Sequence, residues 1–321
     1  MLLRLLTIAK NTVFETLRQP IYTVLVVCAL VLLFLAPFIS MYTLDEDVKL
    51  LRELAFSTLF LTGLFMAVFS ATGAITEEIE SGTITTVLSK PIPRPVFVLG
   101  KFLGIAGAVA FSHYILTAAM LLTIRHGVLE TASDEFDFTV ITAAAVALLA
   151  TISISAYLNY SYEWNFSASA VVIGGVFSGI ALLFLVFIDR DWKVNPSNNG
   201  FHLFDLYASI LLLFAVFITV ALAVMFSTRM NIILTLLCCV GVFLLGLISD
   251  WVFGRFTDDH LWAKIGYVLI PNLQIFWVSD AIYETQAVPT SYLLMGFYYA
   301  ALYIAGILLI AVALFQRRQV G

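Results

Sequence analysis

The chain has 321 residues, 62% of them hydrophobic and only 12% charged, with a mean hydropathy of +1.03 and a formal net charge of −5. Soluble domains carry about 45–50% apolar and about 25% charged residues, so these values exclude a water-soluble fold and describe an integral membrane protein, read as one continuous domain. The negative balance offers no basic stripe for nucleic acid. Cys28, Cys238 and Cys239 sit inside apolar runs without paired spacing, which offers neither a disulfide framework nor a metal site.

At the N-terminus, Arg4, Thr7, Asn11, Glu15 and Arg18 recur at three- and four-residue steps, while Leu2, Leu6, Val13 and Leu17 occupy much of the opposite side. A helix charged along one face cannot span, so residues 1–20 are expected to lie in the membrane interface and to stop at Pro20. A secretory signal is the competing reading. The long charged segment, the full-length apolar run after it and the lack of a small-x-small cleavage site weigh against that.

Crossing the hydrocarbon core takes about 20 apolar residues. Eight intervals meet that standard without Asp, Glu, Lys or Arg: 21–42, 54–76, 102–124, 138–162, 165–188, 206–228, 230–249 and 292–315. A ninth uncharged piece, 265–279, is too short and carries Pro271, and it reads as a re-entrant or interfacial segment before the last helix. The expected fold is therefore an all-α integral membrane protein with about eight transmembrane helices and both termini on one side. That side gathers Arg4, Lys10, Arg18, Lys90, Arg94, Lys101, Arg229, Arg317 and Arg318, nine of the 16 basic residues, and is read as cytoplasmic. The longest outer segment, 250–291, holds Trp251, Trp262, Tyr267 and Trp277, amphipathic residues suited to the headgroup level.

No enzyme motif is present. Gly100-Lys101 is followed by Phe102 rather than Ser or Thr, and position 95 is Pro rather than Gly, so there is no phosphate-cradling loop. Neither a nucleophile elbow nor a zinc-protease helix occurs. If ATP is used, another polypeptide binds it. The near absence of carboxylates in the spans argues against an ion-coupled carrier. His113 is the one titratable side chain near the middle of a span, a candidate for a translocation path, with a plain hydrogen bond to a neighbouring helix as the alternative. Tyr292, Tyr299 and Tyr303 share a face of the last helix and could line a path for an amphipathic substrate, or simply pack. Gly100, Gly104 and Gly107 allow a second helix to approach the third span closely.

The most polar long interval, 77–101, lies between two uncharged runs. It combines Glu77, Glu78 and Glu80 with Gly82-Thr83, then Leu88-Ser89-Lys90-Pro91-Ile92-Pro93-Arg94 and Gly100-Lys101. This stretch resembles the membrane (permease) subunits of ABC-type-2 exporters. Leu17-Arg18-Gln19-Pro20, Ser227-Thr228-Arg229-Met230-Asn231, Pro271-Asn272-Leu273-Gln274 and Phe315-Gln316-Arg317-Arg318 are similar to that family's connecting helix, inner turns, pre-terminal segment and tail. The resemblance implies a single permease domain over 1–321 in the plasma (inner) membrane of a bacterium. It also implies a homodimer or a heterodimer with a related permease, embedded in membrane lipid, and a separate ATPase subunit that binds ATP and Mg. A short cytoplasmic coupling helix between the second and third spans, with Glu77, Glu78, Glu80, Gly82, Thr83, Leu88, Pro91 and Arg94, would meet that ATPase. The family commonly has six spans, so either 138–188 or 206–249 would be an added hairpin. An ATP-independent carrier, an intramembrane enzyme and a non-transporting membrane anchor of a larger complex are the alternatives.

Overall fold

A computed structural model describes residues 1–41, 47–80, 93–128, 135–257, 260–278 and 288–316. Among these the chain is helical, with one isolated antiparallel bridge between Ile188 and Val194. The helices are α1 (Leu2–Arg18), α2 (Pro20–Ser40), α3 (Asp47–Ala71), α4 (Glu77–Glu80), α5 (Arg94–His126), α6 (Phe138–Tyr162), α7 (Phe166–Phe187), α8 (Leu203–Ser227), α9 (Ile232–Leu247), α10 (Ser249–Val252), α11 (Leu261–Leu269) and α12 (Thr290–Gln316). A π-helical turn, Thr72–Thr76, joins α3 to α4.

Among the described residues seven helices are long and apolar enough to cross a membrane, or eight if the bent pair Ile232–Leu247 and Ser249–Phe256 is one span, as expected of an all-α multi-pass protein. The interval 230–249 behaves differently from its hydropathy. Its helix, α9, has 16 residues, about 24 Å at 1.5 Å per residue against a core of about 30 Å, and the chain then bends by 68° into Ser249–Phe256. After this bend the chain returns to the end of α9. Pro271 O approaches within 2.7 Å of where a Cβ on Gly246 would stand, so only glycine admits the returning strand, and the Leu273 N–H donates to Gly246 O.

Exposed backbone groups at such a break are costly where there is no water. The shared face of α12 supplies them with partners. The Tyr292 hydroxyl donates to Ile275 O at 2.6 Å, the Asn272 N–H donates to the Tyr299 hydroxyl at 2.7 Å, and the Tyr303 hydroxyl donates to Val268 O at 2.9 Å. Tyr303 lies halfway along α12, so these bonds hold residues 268–275 against the first half of that helix.

The core is a three-helix unit. In α3, α5 and α8 the central stretch is 67%, 61% and 67% buried, whereas in α6, α7 and α12 it is 17%, 22% and 22%, which assigns these to the rim. Of the two intervals singled out as a possible added hairpin, 206–249 therefore contains a core helix, and 138–188 is peripheral. That rim hairpin seats on α5 where Gly175 faces Phe111 and Gly179 faces Tyr114, whose hydroxyl donates to Gly175 O.

Helix ends are tied in two layers. The near layer holds α1, the end of α3, the start of α5 and the ends of α8 and α12. In the far layer, Arg52 and Asp205 form a buried ion pair at 2.6 Å. This explains why α3 begins at Asp47, two turns before the apolar run at 54: a charge neutralised by α8 does not stop the helix. Beside it, buried Arg125 pairs with Asp137 and donates to Leu185 O and Ile188 O. Burial pushes the Asp137 carboxyl up. The Thr139 hydroxyl, the Val140 N–H and Arg125 together outweigh that and hold it below the usual range.

Breaking a buried pair from one side leaves a charge without compensation, at about 3–5 kcal/mol. Arg52→Ala should therefore destabilise the purified protein by about that amount in chemical unfolding. Replacing both partners, as Arg52→Met with Asp205→Leu, should restore most of the loss, because no lone charge remains.

Candidate functional site

The near layer concentrates the polar groups that the sequence singled out. Pro93 caps α5, and Pro95 occupies its first turn, where a missing N–H costs nothing. The helix thus starts at Arg94, two turns before the apolar run at 102, and takes Gly100 and Lys101 inside it. Helix α1 lies directly on this turn. A Cβ on Gly100 would stand 2.7 Å from Ile8 Cγ2, and one on Gly104 would stand 2.5 Å from Thr12 Cβ and 2.7 Å from the Ala9 carbonyl. Gly107 has ordinary clearance, 3.4 Å to Val13 Cγ2. The glycines therefore receive α1 rather than another spanning helix.

Lys101, only 4% exposed, sits between them at the centre of the junction. Its ammonium donates to Glu78 Oε1 at 2.6 Å and lies 3.6 Å from Glu15 Oε2. A buried ammonium is tolerable only when paired, so these two carboxylates bind α1, the α3–α4 end and α5 into one unit. Lys101 also stands 5.7 Å over the Phe97 ring, which stacks on Phe315 at 5.5 Å. Arg94 donates to Phe315 O and Gln316 O, and Arg229 donates to Leu314 O, so two arginines occupy the carbonyl end of α12, where both hydrogen bonding and the helix dipole favour cations. The Thr76 hydroxyl, closing the π turn, donates to Ser227 O at 3.0 Å.

Of the expected coupling residues, Glu78 and Arg94 belong to this network, and Glu77 is exposed at the start of α4. Gly82, Thr83, Leu88 and Pro91 lie outside the described residues, as does the side chain of Glu80. His113 is buried between α5 and α8, its Nε2 3.0 Å from both Ser209 O and Ser209 Oγ, with Thr117 bonded to the same hydroxyl at 2.6 Å. Tyr292, Tyr299 and Tyr303 face the returning segment described above. Sequence reasoning placed Lys101 at the end of the motif and Glu15 on the charged face of α1, but did not pair them. A lysine at the edge of an apolar run was the available signal.

A cavity of about 440 Å³ opens between α3, α9 and the returning segment, lined by Ser57, Phe60, Leu61, Phe243, Leu247, Gln274 and Trp277. Phe60 and Phe243 stack on each other in its wall at 4.6 Å. No charged side chain lines it. It can take an apolar or aromatic group with one or two hydrogen-bonding atoms.

Residues 6–160 match the family model described as ABC-2 family transporter protein. No curated protein matches the chain.

Burial raises the Glu78 carboxyl above its usual range, although the Lys101 charge and hydrogen bond pull it down. A carboxyl that holds its proton more tightly when folded loses stability on ionising. Its contribution is full at low pH and falls as pH rises through the ordinary carboxylate range to the raised value. Glu78→Gln should remove this part of the slope in melting curves taken from about pH 4 to about pH 7. Separately, Gly104→Val should lift α1 and raise the alkylation rate of a cysteine at Thr12, whereas Gly107→Ala should leave that rate unchanged.

Proposed function

We propose that the chain, of which residues 6–160 match the ABC-2 transporter family model, is the permease subunit of an ATP-driven exporter. A separate ATPase carries the ATP and Mg, and two permease chains, identical or related, form the path between them. Both termini, with α1 and the 77–93 segment, face the cytoplasm of a bacterial cell. The observation that carries this reading is the contact of buried Lys101 with Glu78 and Glu15. A force applied to the 77–93 segment reaches Glu78 directly. Through Lys101 it reaches both the flat helix α1 and the core helix α5.

Coupling requires contacts that differ between two states, not proximity alone. The unequal distances supply a means: Lys101 is close to Glu78 and farther from Glu15, and a shift of α4 that lengthens the first distance leaves the second carboxylate as the remaining partner. The π turn above Glu78 and the α1–α2 joint at Gln19-Pro20 are the backbone irregularities that would take up such a movement. At the far half, the aromatic cavity belongs to the path, with Tyr292, Tyr299 and Tyr303 holding its Gln274 and Trp277 wall in place. His113 braces α5 against α8 beside that path.

In vesicles reconstituted with the ATPase, Lys101→Met, Glu80→Lys and Gly82→Pro should each leave insertion intact and hydrolysis within about twofold of normal. Transport should fall by about tenfold or more, the scale of a lost coupling free energy. Undiminished transport by all three variants, or transport with no ATPase present, contradicts the proposal.

A further inference from the structure

A second concave surface lies at the joint of α1 and α2. Its volume is about 580 Å³, within the size range of small-molecule sites, and it is lined by Asn11, Phe14, Glu15, Arg18, Gln19 and Pro20. Four of these residues, at 11, 14, 15 and 18, are one exposed stripe of α1, because steps of three, four and seven residues return to the same side of a helix. The lining is chemically mixed. Arg18 and Asn11 are donors, and neither side chain bonds to a described residue. Glu15 is an acceptor, 47% exposed at its side chain while its Oε2 stands 3.6 Å from Lys101. Phe14 gives an apolar floor, half exposed. Directly beyond the joint, α2 presents Ile21, Val24, Val27 and Val31 outward at helical spacing.

We propose that this joint binds the headgroup of a phospholipid bearing a primary ammonium, of the phosphatidylethanolamine type. The phosphate is taken by Arg18 and Asn11 in charge-assisted hydrogen bonds. The ammonium is taken by Glu15. One acyl chain runs along the valine face of α2. A cation and an anion about one helical turn apart match a zwitterion with its charges separated by a short linker. A purely anionic headgroup would meet Glu15 as a repulsion. Full methylation of the ammonium removes every N–H donor to Glu15, so choline is the poorer fit. An interfacial helix followed by a span places this joint at headgroup depth. The proposal concerns the chain alone and holds whether or not an ATPase drives it.

The test uses the purified full chain in mild detergent, offered equal amounts of phosphatidylethanolamine, its mono- and dimethyl forms, phosphatidylcholine and phosphatidylglycerol with identical acyl chains. Native mass spectrometry then counts what is retained. Retention should fall with each added methyl, to about fivefold less for choline than for ethanolamine. Glu15→Gln should abolish that preference. Arg18→Gln should lower retention of all five lipids, whereas Arg4→Gln, which lies outside the cavity, should change nothing. The unmodified protein read across the methyl series keeps the test valid even if a variant folds poorly. Equal retention of ethanolamine and choline lipids, preference for phosphatidylglycerol, or retention unaffected by Arg18→Gln would each overturn the assignment.

Discussion

A single ammonium group, withdrawn from water at the near end of the bundle, sets the terms for everything around it. Lys101 lies within the third spanning helix, in a chain with few charges to spare, and it is held there by carboxylates from two other elements. Without them the charge would have to leave its site or lose its proton. With them, the flat helix α1 and the end of α3 cannot move far from α5 independently. Packing agrees with the electrostatics, since Gly100 and Gly104 bring α1 so close that its backbone carbonyl at Ala9 touches the site of a missing side chain. The near layer therefore behaves as one body, tied also to α8 through Thr76 and to α12 through Arg94 and Arg229.

The far layer answers a different demand. Arg52 with Asp205, and Arg125 with Asp137, are buried pairs at the opposite helix ends. Between the layers lies a core of three helices with only neutral polar contacts, such as those of His113, Thr117 and Ser209. Charge is thus kept to the two ends, and the middle is left free of ionised groups.

Much of this architecture was legible in the residues, and the gaps have physical causes. Composition and uncharged run length are enough to place seven spans, because hydrocarbon tolerates little else. The same measure is blind to α9, whose run is long enough but whose helix is cut short by a backbone returning at Gly246. Hydropathy registers what is apolar, not where the chain turns. Likewise Glu53 and Lys101 border the uncharged runs at 54 and 102, and the helices nevertheless begin well before them, since a charge looks like a boundary until its partner is known. Asp205 and Glu15 are distant in sequence, and no local pattern links them. The tyrosine spacing on α12 was readable as a face, but its target, the backbone of 268–275, was not. Glu78 and Arg94 were singled out from a motif, and Lys101 of the same motif is the residue that joins Glu78 to Glu15 of α1.

The central claim is that a second protein works this near layer from the cytoplasm. It is tested most directly by placing a single cysteine at Glu77 in a chain whose three native cysteines are replaced, then labelling it in sealed membranes with an impermeant maleimide. The account predicts labelling from the cytoplasmic side alone, with the rate falling when the ATPase is bound. Labelling from the exterior, or a rate that the ATPase leaves unchanged, would contradict it.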